Sequence, residues 1–222
     1  MTQDHLEPDR ERGNDVAAQR EVTRTVLARL QGFALAGSGA IREHGVTDRP
    51  TEDIDLFTDS LDVSGFDRSV DQVVADLRGS AYEVEETRRV PRFARLHVVT
   101  SDGRQLDIDM GVDWRHDDPV RLDVGPVLSL ADAVGNKVSA LYSRAEARDY
   151  LDVDAIRRSG RFSDAHLLAA AAERDPGFDV AMFSTQLAAA SRLRPAQVAR
   201  YGVTAAELED VKSRCLQWAS TL

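Results

Sequence analysis

The sequence predicts an α+β protein: a mixed sheet with flanking helices, followed by an all-helical C-terminal half. Three observations lead there. Short strand-like runs alternate with helical patterns as far as Val112, and from Ser129 onward the apolar spacing is helical throughout. Between these regions lies a stretch broken by Pro119 and Pro126, where the character changes. A boundary is therefore expected near residue 125, giving a polar, loosely attached tail over 1–14, a core over 15–125 and a helical domain over 126–222. A chain of 222 residues can bury a real hydrophobic centre in such an arrangement.

Taken in order, Asn14 or Asp15 can cap a helix reaching about Leu30, with Val22, Val26, Leu27 and Leu30 on one face. Gly32 ends it. Phe33-Ala34-Leu35-Ala36 is a short apolar run suited to a buried strand, and it feeds into Gly37-Ser38-Gly39 and a short helix from Ala40 to about His44. The next strand, Asp53-Ile54-Asp55-Leu56-Phe57, begins with acids and apolar residues in alternation. A helix over Phe66 to Leu77 follows, with Val70, Val73, Val74 and Leu77 as its inner stripe. Strand-like runs then cover Tyr82–Val90, Phe93–Thr100 and Gln105–Val112, the last two joined by a hairpin turn at Ser101-Asp102-Gly103. The C-terminal half is expected to form helices over 129–143, 145–158, 163–173, 178–191 and 204–219.

Composition excludes several classes. No run approaches 18 consecutive apolar residues, so no transmembrane helix is expected. The polar, mixed-charge start MTQDHLEPDRERGND is not a signal peptide, and a cytoplasmic location is the default expectation. Cys215 is the single cysteine and can form no internal disulfide. With 28 basic and 38 acidic residues the net charge is −10, which argues against broad nonspecific binding to nucleic acid. It leaves a local arginine cluster free to meet one. Only Lys137 and Lys212 are lysine, and the other 26 basic residues are arginine. The two side chains are not chemically interchangeable, so the lysines stand out.

Asp53 and Asp55 fall on one face of a strand, because side chains alternate with period two. Two acids one strand-step apart repel unless a cation lies between them, and Mg²⁺ takes such hard oxygen ligands. An Asp-x-Asp alone names no reaction, since acidic chains contain it by chance and glycosyltransferases also use one. Its surroundings sharpen it. Gly37-Ser38 lies between a strand and a short helix, where a glycine lets a phosphate approach and amide and hydroxyl groups can bind it. Read alone, the same segment is a tight turn. Asp107 and Asp109 share a face of a later strand, and either could complete a carboxylate triad. Three acids around two metal ions suit phosphoryl or nucleotidyl transfer.

This order of Gly-Ser, spacer, Asp-x-Asp and later acid resembles the nucleotidyltransferase superfamily, with its polymerase-β-like mixed sheet. More narrowly, Gly37-Ser38-Gly39-Ala40-Ile41 with Arg49-Pro50-Thr51-Glu52-Asp53-Ile54-Asp55-Leu56 is similar to the AbiEii/MenT family of nucleotidyltransferase toxins from bacterial toxin–antitoxin systems. Asn136-Lys137-Val138-Ser139-Ala140-Leu141-Tyr142-Ser143-Arg144 resembles that family's Lys-x-x-Ala-Leu-x-x-Arg segment, and Arg148-Asp149-Tyr150-Leu151-Asp152 its Arg-Asp-x-x-Asp segment. The resemblance covers about Gly37 to Ile156.

The resemblance implies roles residue by residue. Asp53, Asp55 and Asp109 would hold one or two Mg²⁺ ions, with Asp107 as the alternative third acid. Gly37, Ser38, Arg49 and Thr51 would contact or support the nucleotide phosphates, and Lys137 would neutralise the triphosphate. Asp152 is the expected active-site acid of the helical half. Arg148 and Asp149 would lie at the nucleotide, although Asp149 could instead pair with Arg148 or Arg144. The implied activity is transfer of NMP from an NTP, a pyrimidine, to the 3′ acceptor end of tRNA, which would block translation. A cognate antitoxin protein is the implied partner, and no membrane is involved. The alternatives are a small-molecule transferase of the aminoglycoside type and a degenerate nucleotide-binding module.

Other groups carry less. His5, His44, His97, His116 and His166 show no metal-ligand spacing and are expected to be structural or exposed. Arg88, Arg89, Arg92 and Arg95 could meet an RNA backbone, but a solvated strand face offset by Glu83, Glu85 and Glu86 is the expectation. Arg157, Arg158 and Arg161 suit a helix C-terminus without any ligand. Trp114 and Trp218 are expected to be packing residues, and Lys212 an ordinary exposed charge.

Overall fold

The computed structural model describes residues 6–222 except residue 52, with the backbone alone described for 6–14. Contacts divide the chain into two compact units: residues up to Glu43 with Pro50–Ser129, and His44–Arg49 with Leu130–Leu222. The short segment 44–49 thus belongs with the helices, although it is flanked in sequence by the first unit.

The first unit contains α1 (Leu6–Leu27), β1 (Phe33–Leu35), α2 (Gly37–Glu43), β2 (Asp53–Thr58), α3 (Val63–Gly79), β3 (Glu83–Val90), β4 (Phe93–Val99), β5 (Gln105–Val112), β6 (Val120–Leu122) and β7 (Gly125–Val127). Its strands form one seven-stranded sheet in the order β3-β4-β5-β2-β1-β7-β6. The sheet is mixed, with β2 parallel to β5 and β1 parallel to β7 while the other neighbours run antiparallel. Period two sorts its side chains. Ile54, Leu56, Ala94, Leu96, Val98, Ile108 and Met110 are all buried, as are Val22 and Val26 of α1 and Phe66, Val70, Val73 and Leu77 of α3. Phe33 and Phe66 meet with ring centres 6.0 Å apart. Asp53, Asp55, Asp107 and Asp109 are among the intervening residues of β2 and β5.

The β4–β5 hairpin closes where the sequence predicts, with the Gly103 amide donating to the Thr100 carbonyl at 2.8 Å. Gly103 has φ +82°, a conformation that glycine takes without steric cost. Between β3 and β4 the register shifts between Glu86 and Arg88, which sets Arg88 opposite Arg95.

Several expectations are corrected here. The first helix starts at Leu6, not at Asn14 or Asp15, so residues 6–14 are helical where a tail was expected. Leu6, Glu7, Arg10, Glu11 and Arg12 are good helix formers, and Pro8 stands in the first turn where its missing N–H costs no bond. Residues 1–5, with His5, lie outside the described residues. The short helix begins at Gly37 and not at Ala40, so Gly37-Ser38 forms its first turn. The Pro126 stretch hides β6 and β7: the Leu128 amide donates to the Leu35 carbonyl at 2.9 Å, so β1 gains a second neighbour. Trp114 is 52% exposed and edges onto His116, so it is no packing residue.

The second unit is helical: α4 (Leu130–Ser143), α5 (Ala147–Arg158), α6 (Asp164–Arg174), α7 (Val180–Ala188), α8 (Pro195–Val198) and α9 (Ala205–Ala219), with 3₁₀ turns at Ala189–Arg192 and Ala199–Tyr201. Helix α4 packs on α5, α6 and α7, and α9 on α5 and α7. Trp218 is buried edge-on to Phe183, with ring centres 5.2 Å apart, and the Arg157 guanidinium stacks 4.2 Å from its ring. The hydroxyl of Tyr150 donates to the Gln186 carbonyl at 2.8 Å and ties α5 to α7. Lys212 is only 14% exposed and pairs with Glu209, one helical turn away, so it is less open than expected.

Candidate active site

In the first unit the parallel pairing of β2 and β5 decides the geometry. Asp53 stands opposite Asp107 and Asp55 opposite Asp109, so all four carboxylates project from one face of the sheet. Carboxylate oxygens of Asp53, Asp55 and Asp109 lie within 4.8 Å of one another. Asp107 is drawn aside instead, its Oδ1 2.8 Å from Nδ1 of His97 on β4. Of the two candidates for third acid, Asp109 is the one the structure brings to Asp53 and Asp55.

Each carboxylate is held differently. Thr51, just before β2, donates its hydroxyl to Oδ1 of Asp53 at 2.8 Å, and its own carbonyl accepts from the Gln19 amide at 2.5 Å. Asp55 lies against the backbone of Gly37. A Cβ built there would sit 1.7 Å from Oδ2 of Asp55, and Gly37 has φ +57°. Both facts demand glycine. The Ala36 amide donates to the Asp55 carbonyl at 2.8 Å, and this fixes the end of β1 beside β2. Ser38 follows, buried in the first turn of α2. Asp109 meets Arg95 in a two-pronged pair, Nε to Oδ1 at 2.6 Å and Nη2 to Oδ2 at 2.5 Å.

Arg95 is the residue that sequence reasoning missed, because it was grouped with a solvated basic run. That run divides. Arg89 pairs with Glu86 and Asp71, Arg92 donates to the Leu61 carbonyl, and Arg88 stacks 5.5 Å from the Phe93 ring. A signal was present in the sequence. Arg95 and Asp109 are equidistant from Asp102, the hairpin tip, so hairpin register alone sets them opposite one another.

The second unit carries a charged cluster of its own. Asp152 of α5 is fully buried and accepts from Nε of Arg49 at 2.8 Å, from Nη2 of Arg49 at 3.0 Å and from Nζ of Lys137 on α4 at 2.8 Å. Burial pushes the Asp152 carboxyl up, but the charges of Lys137 and Arg49 outweigh it and bring its pKa down to about 2. Arg49 also stacks over Tyr201, 4.6 Å from the ring centre.

Asp149 pairs with Arg144. Both oxygens of Asp149 are taken by Arg144, at 2.8 and 2.9 Å, and Oδ2 also accepts from the Glu146 amide at 3.1 Å. Fully buried, Asp149 also closes the capping box of α5, and of the two pairings the sequence offers it takes Arg144. Arg148 turns to Glu146 at 3.0 Å.

Three hard carboxylates within reach of one cation are the donor set that Mg²⁺ takes, and glycine at 37 leaves room for Asp55 to serve. The residues therefore fit a divalent metal. A mixed sheet presenting such a triad, preceded by Gly-Ser at a helix start, defines a nucleotidyltransferase. The family model described as nucleotidyl transferase AbiEii toxin, type IV toxin–antitoxin system, matches residues 27–213, and the chain belongs to that family. No curated protein gave a match to the sequence. Among solved structures it is similar to JHP933 from Helicobacter pylori, with TM-score 0.56 and 14% identity over 95% of this chain and 91% of that one. It is also similar to MenT4, a nucleotidyltransferase toxin from Mycobacterium tuberculosis H37Rv, with TM-score 0.56 and 17% identity over 94% and 85%. Among the described residues no helix is long and apolar enough to cross a membrane.

Proposed function

We propose that this nucleotidyltransferase toxin moves NMP from an NTP to the 3′ acceptor end of tRNA, with a divalent ion at Asp53, Asp55 and Asp109. The observation that carries the chemistry is the meeting of those three carboxylates within 4.8 Å. The tRNA target, a pyrimidine NTP and an antitoxin partner rest on the resemblance to the AbiEii/MenT toxins. In the reaction the terminal hydroxyl releases its proton to solvent, its oxygen bonds to the α-phosphorus, the bond from that phosphorus to the α–β bridging oxygen breaks and pyrophosphate leaves. A bound Mg²⁺ would supply charge to the triphosphate and lower the pKa of the attacking hydroxyl.

The chain's own residues prepare the site. Thr51 fixes the rotamer of Asp53, Gly37 lets Asp55 seat against the backbone, and Ser38 is assigned to the phosphates. Lys137 is assigned to the triphosphate charge, with Asp152 holding its ammonium and Arg49 in turn holding Asp152. A point charge on a flexible stem suits that task. A nucleotide added to the acceptor end would prevent aminoacylation. Purified protein incubated with each of four labelled NTPs, Mg²⁺ and total tRNA tests the reading. Labelled tRNA from a pyrimidine NTP is expected, lost in Asp53→Ala, and no labelling with any NTP would refute it.

A further inference from the structure

We propose that Arg95 is a resident counter-cation that a divalent ion must displace from Asp109, so that it sets how tightly the triad binds metal before nucleotide arrives. This rests on the metal reading of the triad given above. The two-pronged contact engages both oxygens of Asp109, the atoms through which that carboxylate would ligate an ion. The pair is built into the hairpin, since Arg95 and Asp109 are directly opposed in the β4–β5 register. A guanidinium does not deprotonate, so it yields to an incoming cation only by moving.

Arg95 is placed to move. Its side chain is 45% exposed, whereas the Asp152 partners Arg49 and Lys137 are 6% and 7% exposed. Swinging Arg95 into water moves a guanidinium already half in solvent, and the incoming ion takes over the compensation of Asp109, whose side chain is 12% exposed. The hydrogen bond to Asp109 is the main cause that raises the Arg95 pKa, and the charges of Asp107 and Asp53 add to it. Arg95 therefore offsets part of the charge of the whole acidic face.

Calorimetric titration of the nucleotide-free full chain with MnCl₂ tests this on the parent, Arg95→Gln, Arg95→Lys and Arg88→Gln. Arg95→Gln should bind Mn²⁺ at least tenfold more tightly and show a larger Mn²⁺-induced rise in Tm. Arg95→Lys keeps the charge but cannot grip both oxygens, and should fall between parent and Arg95→Gln. Arg88→Gln removes a neighbouring charge that does not touch Asp109 and should stay within twofold of the parent. A parent that fails to bind while Arg95→Gln binds also supports the proposal. Equal or weaker binding by Arg95→Gln beside a binding parent overturns it alone, as does equal tightening in Arg88→Gln. If neither parent nor Arg95→Gln binds, the metal reading falls with it. Should Arg95→Gln fail to fold, Arg95→Lys carries the test, and binding no tighter than the parent overturns the proposal.

Discussion

A methyl group on Gly37 would lie 1.7 Å from Oδ2 of Asp55, inside the space the carboxylate occupies. The glycine that opens α2 thus makes room for the second acid of β2. Gly37 also has φ +57°. Gly37→Ala should cost about 1–2 kcal/mol in backbone conformation alone. In a chain of this size each kcal/mol lowers Tm by about 2–4 °C. Displacing Asp55 should abolish most nucleotide transfer in protein that still folds. Thermal unfolding and label transfer, measured together, check both parts.

Thr51 touches Asp53 and, in this account, acts through it. Thr51→Ala should lower kcat about tenfold, the equivalent of ~1.4 kcal/mol, with little change in Tm. Thr51→Ser keeps the hydroxyl and should restore most of the rate. Loss in both variants would assign the effect to packing.

The Asp152 cluster gives a pH signature. Its carboxyl pKa falls from 3.8 to about 2 on folding, so its stabilisation is complete above pH 4 and is lost as pH falls toward 2. Linkage puts the amount at about 2–3 kcal/mol. Asp152→Asn should lack that decline, yet start about 3–5 kcal/mol less stable because Arg49 and Lys137 lose their charged partner. Denaturant unfolding of both proteins between pH 7 and pH 2 measures the difference. Parallel curves would contradict the assignment.

Lys137 is one of two lysines among 28 basic residues, and it is buried against Asp152. Lys137→Arg keeps the charge but replaces a compact ammonium with a wide fork at a site already occupied by Arg49. Transfer should fall about 10–100-fold, a barrier higher by about 1.4–2.8 kcal/mol, with a raised KM for NTP. Unchanged kinetics would reduce the lysine to coincidence.

Much of this was legible in sequence because period two and hairpin chemistry are local. Asp53, Asp55, Asp107 and Asp109 could be placed on strand faces, and the Gly103 turn fixed the hairpin. Choosing Asp109 over Asp107 required the His97 contact, which comes from the neighbouring strand. Strands β6 and β7 have three residues each and β7 contains Pro126, so neither leaves a periodic signal. Arg95 was obscured by its neighbours in a basic run whose members point to different partners. Asp149 and Asp152 are one helical turn apart, and only tertiary pairing distinguishes the capping acid from the one that holds Arg49 and Lys137.

The central claim is transfer of an α-phosphoryl nucleotide, and following the two ends of the triphosphate tests it most directly. The chain is incubated with tRNA and Mg²⁺ and, in parallel, with NTP labelled at the α- or the γ-phosphate. The account predicts that α-label becomes covalently attached to tRNA while γ-label leaves as pyrophosphate, one for each nucleotide added. Asp53→Ala should do neither. Label on tRNA from the γ-phosphate, or pyrophosphate release that survives in Asp53→Ala, would contradict it.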